Sequence, residues 1–223
     1  MPRERYDQQL RGLQDDLLRL ASLVESSIGR ALTALQHQDV EEARRIIADD
    51  DLIDRQQYAL EDKALSLIAR QAPLAGDLRL ISAVISIASE LERMGDYAEG
   101  IAEITIRGAN EPLLKPLIDI PRMAELAQRM LREALDAFVN RDAEAARGLA
   151  REDDEVDALT TQVQNELLAY VVREPQQIER ALHLFFVAHN LERVADRATN
   201  IAERLIFLVT GEIVDLNAGT AHA

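Results

Sequence analysis

The sequence contains an internal repeat, and this feature constrains the fold of the chain more than any other. Residues 89–103 align with residues 189–203 with eight identities in fifteen positions. The acidic run at 49–54 matches a second acidic run at 152–157 in the same way. Because repeated sequence folds into repeated structure, we expect two copies of one structural unit in tandem.

Apolar residues recur at three- and four-residue steps almost throughout, which is the spacing of an amphipathic helix. In the first segment these positions are Leu10, Leu13, Leu17, Leu20, Val24, Ile28, Ala31 and Leu35. Asp39 and Asp142 each precede such a segment and are suited to cap the helix that follows. The pattern predicts an all-α protein of six helices, arranged as two tandem, repeat-related three-helix bundles.

Helix-breaking residues mark the divisions of the chain. Gly108, Asn110, Pro112 and Pro116 cluster at the midpoint, and Gly211 follows the last periodic segment. Pro175 is suited to the first turn of the sixth helix. The expected divisions are a first repeat at 1–109, a linker at 110–120, a second repeat at 121–211 and a flexible tail at 212–223.

Composition limits the classes of function. The net charge of −15 disfavours nucleic acid and anionic lipid as partners, because both would repel an acidic surface. There is no cysteine, which excludes thiolate catalysis and zinc–thiolate sites. No apolar stretch approaches the ~20 residues of a membrane span, and the first ten residues lack a signal-peptide core. We expect a cytoplasmic protein without direct membrane insertion.

Acidic residues form stripes on the predicted helices. Glu92, Asp96, Glu99 and Glu103 follow one another at steps of four, three and four residues, which places them within roughly a 60° arc of one helix. The apolar residues of that helix lie on nearly the opposite face. The stripe is therefore predicted to point outward.

Carboxylates on neighbouring helices complete the pattern. The remaining members are Asp50, Asp54 and Glu61 in the first repeat, and Asp153, Asp157, Glu192, Asp196 and Glu203 in the second, with the Asn200 amide nearby. Like charges one turn apart repel, and a divalent cation would remove that repulsion. Carboxylate oxygens suit Mg²⁺, Ca²⁺ and Mn²⁺, and also iron or zinc in carboxylate-rich sites.

Three interpretations of the stripes stay open from the residues alone. They are a metal-binding adaptor, a metal-dependent hydrolase or carboxylate-bridged oxidase, and a plain helical scaffold with solvated charges. The Glu-x-x-His motif of di-iron bundles does not occur. Neither a nucleophilic triad nor a glycine-rich phosphate loop is recognisable, so an enzyme is the less favoured interpretation.

Three segments resemble the PhoU family, together with the doubled Glu/Asp-x-x-x-Asp pairs. The segments are residues 71–79, 91–96 and 190–196. The resemblance implies two three-helix bundles and metal ions or clusters, with Fe, Zn, Mn or Mg as candidates. By matching position it implies two metal sites, one of Asp50, Asp54, Glu92 and Asp96, the other of Asp153, Asp157, Glu192 and Asp196.

The same resemblance implies a function. PhoU proteins are accessory proteins of phosphate-specific transport and negative regulators of the phosphate-starvation response. They are non-enzymatic, are often homodimers, and are thought to link the phosphate ABC transporter and its ATPase to a sensor histidine kinase. A role in phosphate homeostasis and signal transduction is therefore the expectation for this chain.

Overall fold

The computed structural model describes residues 2–217, with side chains from residue 4 onward. Six α-helices make up this part of the chain, and it contains no strand. The helices are α1 (Pro2–His37), α2 (Val40–Gln71), α3 (Ala75–Gly108), α4 (Asp119–Asn140), α5 (Ala143–Arg173) and α6 (Ile178–Thr210). The prediction of an all-α, six-helix protein is confirmed.

The helices pack as two bundles that share one core. Helices α1, α2 and α3 pack on one another, as do α4, α5 and α6. Helix α3 also lies along α6, and α1 contacts α4. Helices α3 and α6 therefore each have three helical neighbours. All eight apolar positions predicted for the first helix are buried. A continuous cluster of buried side chains runs through both halves.

Local sequence signals set the ends of the helices. Asp39 accepts a hydrogen bond from the Glu42 N–H at 3.0 Å, and Asp142 caps α5 in the same way. Gly211 ends α6 with a φ of +78°, a conformation that glycine adopts without strain. Pro175 differs from the prediction, because it begins a separate 3-10 turn, Pro175–Gln177, just before α6.

A buried ion pair joins the two bundles. Arg197 Nη1 on α6 donates to Glu90 Oε2 on α3 at 3.2 Å, and Asn200 Nδ2 donates to the same oxygen at 3.2 Å. The two charged side chains are only 11% and 16% exposed. At the repeat-related place a Cβ on Gly100 would lie 2.8 Å from Asn190 Nδ2. The interface between the repeats is therefore asymmetric.

Hydrogen bonds attach two segments outside the helices, the chain between α3 and α4 and the chain after α6, to the bundles. Gln38 Nε2 donates to the Glu111 carbonyl at 2.6 Å, which ties the chain between α3 and α4 to the first bundle. The Leu216 N–H donates to Glu203 Oε1 at 2.8 Å, so the chain after Gly211 contacts α6. The rest of the predicted tail, 218–223, lies outside the described residues. Within the described part, no helix has the length and apolar character that crossing a bilayer requires.

The buried ion pair leads to a stability prediction. Replacing Glu90 with alanine leaves the Arg197 guanidinium buried without its carboxylate, and we expect a loss of about 3 kcal/mol in the free energy of unfolding. Urea denaturation measures this loss. The control is Asp51→Ala, which removes an exposed ion pair with Arg55 and should cost less than about 0.5 kcal/mol. A Glu90→Ala loss no larger than the control would contradict the prediction.

Candidate metal centres

Five carboxylates converge between α2 and α3 in the first bundle. Oxygens of Asp50, Asp96 and Glu99 all lie within 4.8 Å of one another. Oxygens of Asp54, Glu92 and Asp96 do the same. The two triads share Asp96 and together define the first centre. The four residues predicted for this site are thus brought together, and Glu99 joins them.

A glycine allows the two helices to approach at the first centre. A Cβ on Gly95 would lie 3.1 Å from both Asp50 Oδ1 and Ile53 Cδ1, which is tighter than ordinary van der Waals contact. The Asp50 Oδ1 atom is buried and has no hydrogen-bond partner. A buried acceptor left unsatisfied costs about 1–3 kcal/mol, and a bound cation would satisfy it.

The electrostatics of the first centre reflect crowded negative charge. Burial raises the pKa of Asp50 to about 7, and the charges of Glu99 and Asp96 add to the rise. Burial is also the main cause of the raised pKa of Glu92, Asp96 and Glu99. The positive charge of Arg93 acts in the opposite direction and lowers the pKa of Glu92 and of Asp96.

The second centre, between α5 and α6, is more buried. Asp153 is only 3% exposed, and its pKa is raised to about 7 by burial and then by the charges of Asp196, Asp157 and Glu192. Burial likewise raises the pKa of Glu192 to about 7, and its Oε2 is buried without a hydrogen-bond partner. These four carboxylates define the second centre. Within residues 4–217, however, none of its groups of three meets the 4.8 Å spacing of the first centre.

The outward orientation predicted for the stripes holds only in part, because Asp96 is exposed while Glu92 and Glu99 are half-buried. The carboxylates of each bundle face one another across a helix pair, and Asp153 is buried. The prediction assumed that each helix has one apolar contact. Helices α3 and α6 each pack against three others, so only part of their circumference faces solvent, including Arg93 and Asp96 on α3.

Several acidic residues of the predicted stripes have other partners. Glu61 accepts from Gln57, Glu103 pairs with Arg107, and Glu203 accepts from the Leu216 N–H. Asn200 donates to Glu90 between the bundles. None of these four contacts belongs to either centre.

The repeats differ at the position of Glu99. Its counterpart Thr199 is fully buried and donates to the Asp196 carbonyl at 2.7 Å. The His189 Nδ1 lies 3.3 Å from Glu192 Oε2 but does not form a hydrogen bond with that atom. Glu99 was on the predicted stripe but outside the predicted metal set. Glu99 lies three residues after Asp96, on the same face of the helix, and this spacing could have placed it in the predicted metal set.

The residues of both centres fit a hard cation. Every donor at the first centre is a carboxylate oxygen, the ligand type that Mg²⁺, Mn²⁺ and carboxylate-bound iron or zinc accept. Each centre also has one buried carboxylate oxygen without a hydrogen-bond partner, on Asp50 and on Glu192. Both observations favour cation binding over solvated surface charge.

The sequence model of the PhoU domain matches residues 17–105 and 120–205, one match in each bundle. The chain belongs to the PhoU family. A relative from Aquifex aeolicus, named phosphate-specific transport system accessory protein PhoU homolog, is 42% identical over 206 residues, covering 92% of this chain and 93% of the relative. A relative of the same name from Clostridium acetobutylicum is 37% identical over 218 residues, covering 97% and 100%.

Solved PhoU structures have the same fold. The crystal structure of PhoU from Pseudomonas aeruginosa matches with a TM-score of 0.88 and 32% identity, over 93% of this chain and all of that one. The phosphate transport system regulatory protein PhoU from Streptococcus pneumoniae matches with a TM-score of 0.87 and 32% identity, over 94% and 99%. The family resemblance drawn from the repeated acidic motifs is confirmed.

The raised pKa values predict how stability depends on pH. The Asp153 carboxyl binds its proton more tightly in the folded protein than in the unfolded chain, where its pKa is near 3.8. Its contribution to stability is therefore present at low pH and is lost as the pH rises from 3.8 through about 7. In metal-free protein we expect Asp153→Asn to be more stable than wild type at pH 8 and to lose less stability between pH 5 and pH 8.

Urea unfolding in EDTA at several pH values measures this effect. Asp62→Asn is the control, since Asp62 is an exposed residue of α2. It should follow the wild-type curve. A destabilised Asp153→Asn protein at pH 8 would mean that the ionised carboxylate is favourable where it lies.

Proposed function

We propose that this protein is a phosphate-specific transport system accessory protein that restrains the phosphate-starvation response and phosphate uptake. On this proposal it is a non-enzymatic adaptor in the cytoplasm that links the phosphate ABC transporter to a sensor histidine kinase. The observation that carries the proposal is the pair of PhoU domains, each with four carboxylates gathered between two helices. The names of the relatives support the transport role.

The proposal assigns metal ions to both centres. Asp50, Asp54, Glu92 and Asp96 would hold metal at the first centre, with Glu99 as a further ligand. Because Asp96 belongs to both triads, the first centre suits a multinuclear cluster with a shared carboxylate. At the second centre the ligands would be Asp153, Asp157, Glu192 and Asp196. Iron, zinc, manganese and magnesium are the candidate metals.

An open pocket beside the first centre supports the adaptor role. It has a volume of about 500 Å³ and a mainly polar lining, which includes Ser89, Arg93 and Tyr97 as well as the carboxylates of Glu92 and Asp96. A cation on these carboxylates would supply a Lewis-acid position for an oxygen ligand. The pocket would admit a carboxylate or phosphoryl oxygen of a partner protein, while Arg93 adds a positive charge at its wall.

The proposal also includes a homodimer. Exposed apolar side chains lie near the junction of α5 and α6, including Leu168, Val172, Ile178 and Phe186. Association of two chains would remove such apolar surface from water, which is favourable. Their position supports assembly without involving either acidic centre.

Metal content tests the proposed centres. We expect stoichiometric metal in the purified protein by elemental mass spectrometry. Glu92→Gln/Asp96→Asn and Glu192→Gln/Asp196→Asn should each remove the metal of one centre and leave the other loaded. The control is Glu41→Gln/Asp62→Asn, which changes two exposed carboxylates of α2 and should retain all metal. A wild-type protein that binds no metal after incubation with Mg, Mn, Fe and Zn would contradict the assignment.

Partner binding tests the adaptor role separately. We expect the metal-loaded protein to bind the purified sensor kinase and the transporter ATPase in biolayer interferometry. A variant with all four substitutions, shown to lack metal, should lose that binding. Binding that survives would rule out docking through the metal. Metal-dependent turnover of generic phosphate esters would instead favour a hydrolase.

A further inference from the structure

The two centres differ in the positively charged side chains that the protein places against their carboxylates. Arg193 Nη1 lies 2.8 Å from Asp196 Oδ2 and donates a hydrogen bond to it. Tyr97 of the first bundle, and then the charge of Asp196, raise the pKa of Arg193. Tyr97 follows Asp96 of the first centre in sequence, while Arg193 follows Glu192 of the second. Arg193 is therefore fixed directly on a carboxylate of the second centre, whereas Arg197, whose charge also acts on Asp196, is paired with Glu90.

The repeat-related arginine is placed differently. Arg93 aligns with Arg193, but it is exposed. Among the described residues it makes no ion pair within 4 Å that matches the contact between Arg193 and Asp196. The residue that aligns with Tyr97 is Arg197, which is committed to Glu90 between the bundles. The first centre consequently has no fixed cation of its own.

We propose that Arg193 is the built-in counter-cation of the second centre, so that this centre binds a divalent cation more weakly than the first and loads after it. This inference rests on the proposed metal centres and concerns their order of loading. It assigns a role to a residue that is not itself a ligand.

The physical basis is competition for Asp196. A cation that takes Asp196 as a ligand displaces the Arg193 guanidinium and breaks a hydrogen bond between charged groups, which is stronger than one between neutral groups. The displaced arginine stays nearby because it lies three residues before Asp196 on the same helix. It then repels the cation through a partly buried region, where charges are weakly screened. Both effects lower the affinity of the second centre.

A second difference acts in the same direction. The first centre has Glu99 where the second has Thr199, so the second centre offers fewer carboxylates. Changing Arg193 alone separates the two causes, because the ligand set of the second centre stays intact. The expected gain from Arg193→Gln is about tenfold in affinity, which is the lower end of the range for a charged hydrogen bond.

Calorimetric titration with Mn²⁺ at pH 8 tests the inference one centre at a time. The second centre is measured in a chain whose first centre is silenced by Asp54→Asn/Asp96→Asn. In that chain we expect Arg193→Gln to lower the Kd for Mn²⁺ about tenfold, and Arg193→Lys, which keeps the charge, to lower it less. The matched control is Arg93→Gln in a chain silenced by Asp153→Asn/Glu192→Gln. It should change the Kd of the first centre less than about twofold.

The outcomes are distinguishable. If Mn²⁺ binds and Arg193→Gln tightens the second centre no more than Arg93→Gln tightens the first, Arg193 is not the counter-cation. If neither silenced chain binds Mn²⁺, the proposed metal centres themselves fail, and this inference fails with them. Circular dichroism in EDTA checks that each variant is folded. Arg193→Met replaces Arg193→Gln if the latter does not fold, with the same expected gain in affinity.

Discussion

The close packing of α3 along α6 is the constraint on which the rest of the structure depends. These two helices are the third members of their bundles, and their contact joins both bundles into one core. Each packs against three others, so several of their carboxylates, such as Glu92 and Glu192, lie partly buried in the seams between helices. The carboxylates therefore meet one another there. The apolar packing of the helices stabilises this arrangement, although it brings mutually repelling carboxylates together.

This arrangement links metal binding to the stability of the helix pairs. Asp153 and Glu192 lie where burial disfavours their charged forms, and the core holds them there regardless. A cation would convert that unfavourable charge into ligand bonds. On the proposed function, the metal would thus set the stiffness of the seams between α2 and α3 and between α5 and α6, in addition to offering a docking position. The energy for such an effect comes from the packing that forces the carboxylates together.

Much of this could be predicted from the sequence because the repeat and the helical periodicity are both local signals. The eight core positions of α1, the caps at Asp39 and Asp142, and the gathering of Asp50 and Asp54 with Glu92 and Asp96 all follow from spacing. The partial burial of the stripes did not, since it depends on how many neighbours a helix has. The role of Glu90 depends on its contacts with Arg197 and Asn200 of the other repeat. No spacing within one repeat encodes those contacts.

The ion pair between Glu90 and Arg197 limits which surfaces the two repeats can pair with. If the first repeat associated with a second copy of itself through α3, the repeat alignment would place Tyr97 and Gly100 opposite Glu90 on both sides. Two buried carboxylates would then have no arginine. The two halves are therefore complementary at this interface and not interchangeable, so the surface joins unlike partners within one chain.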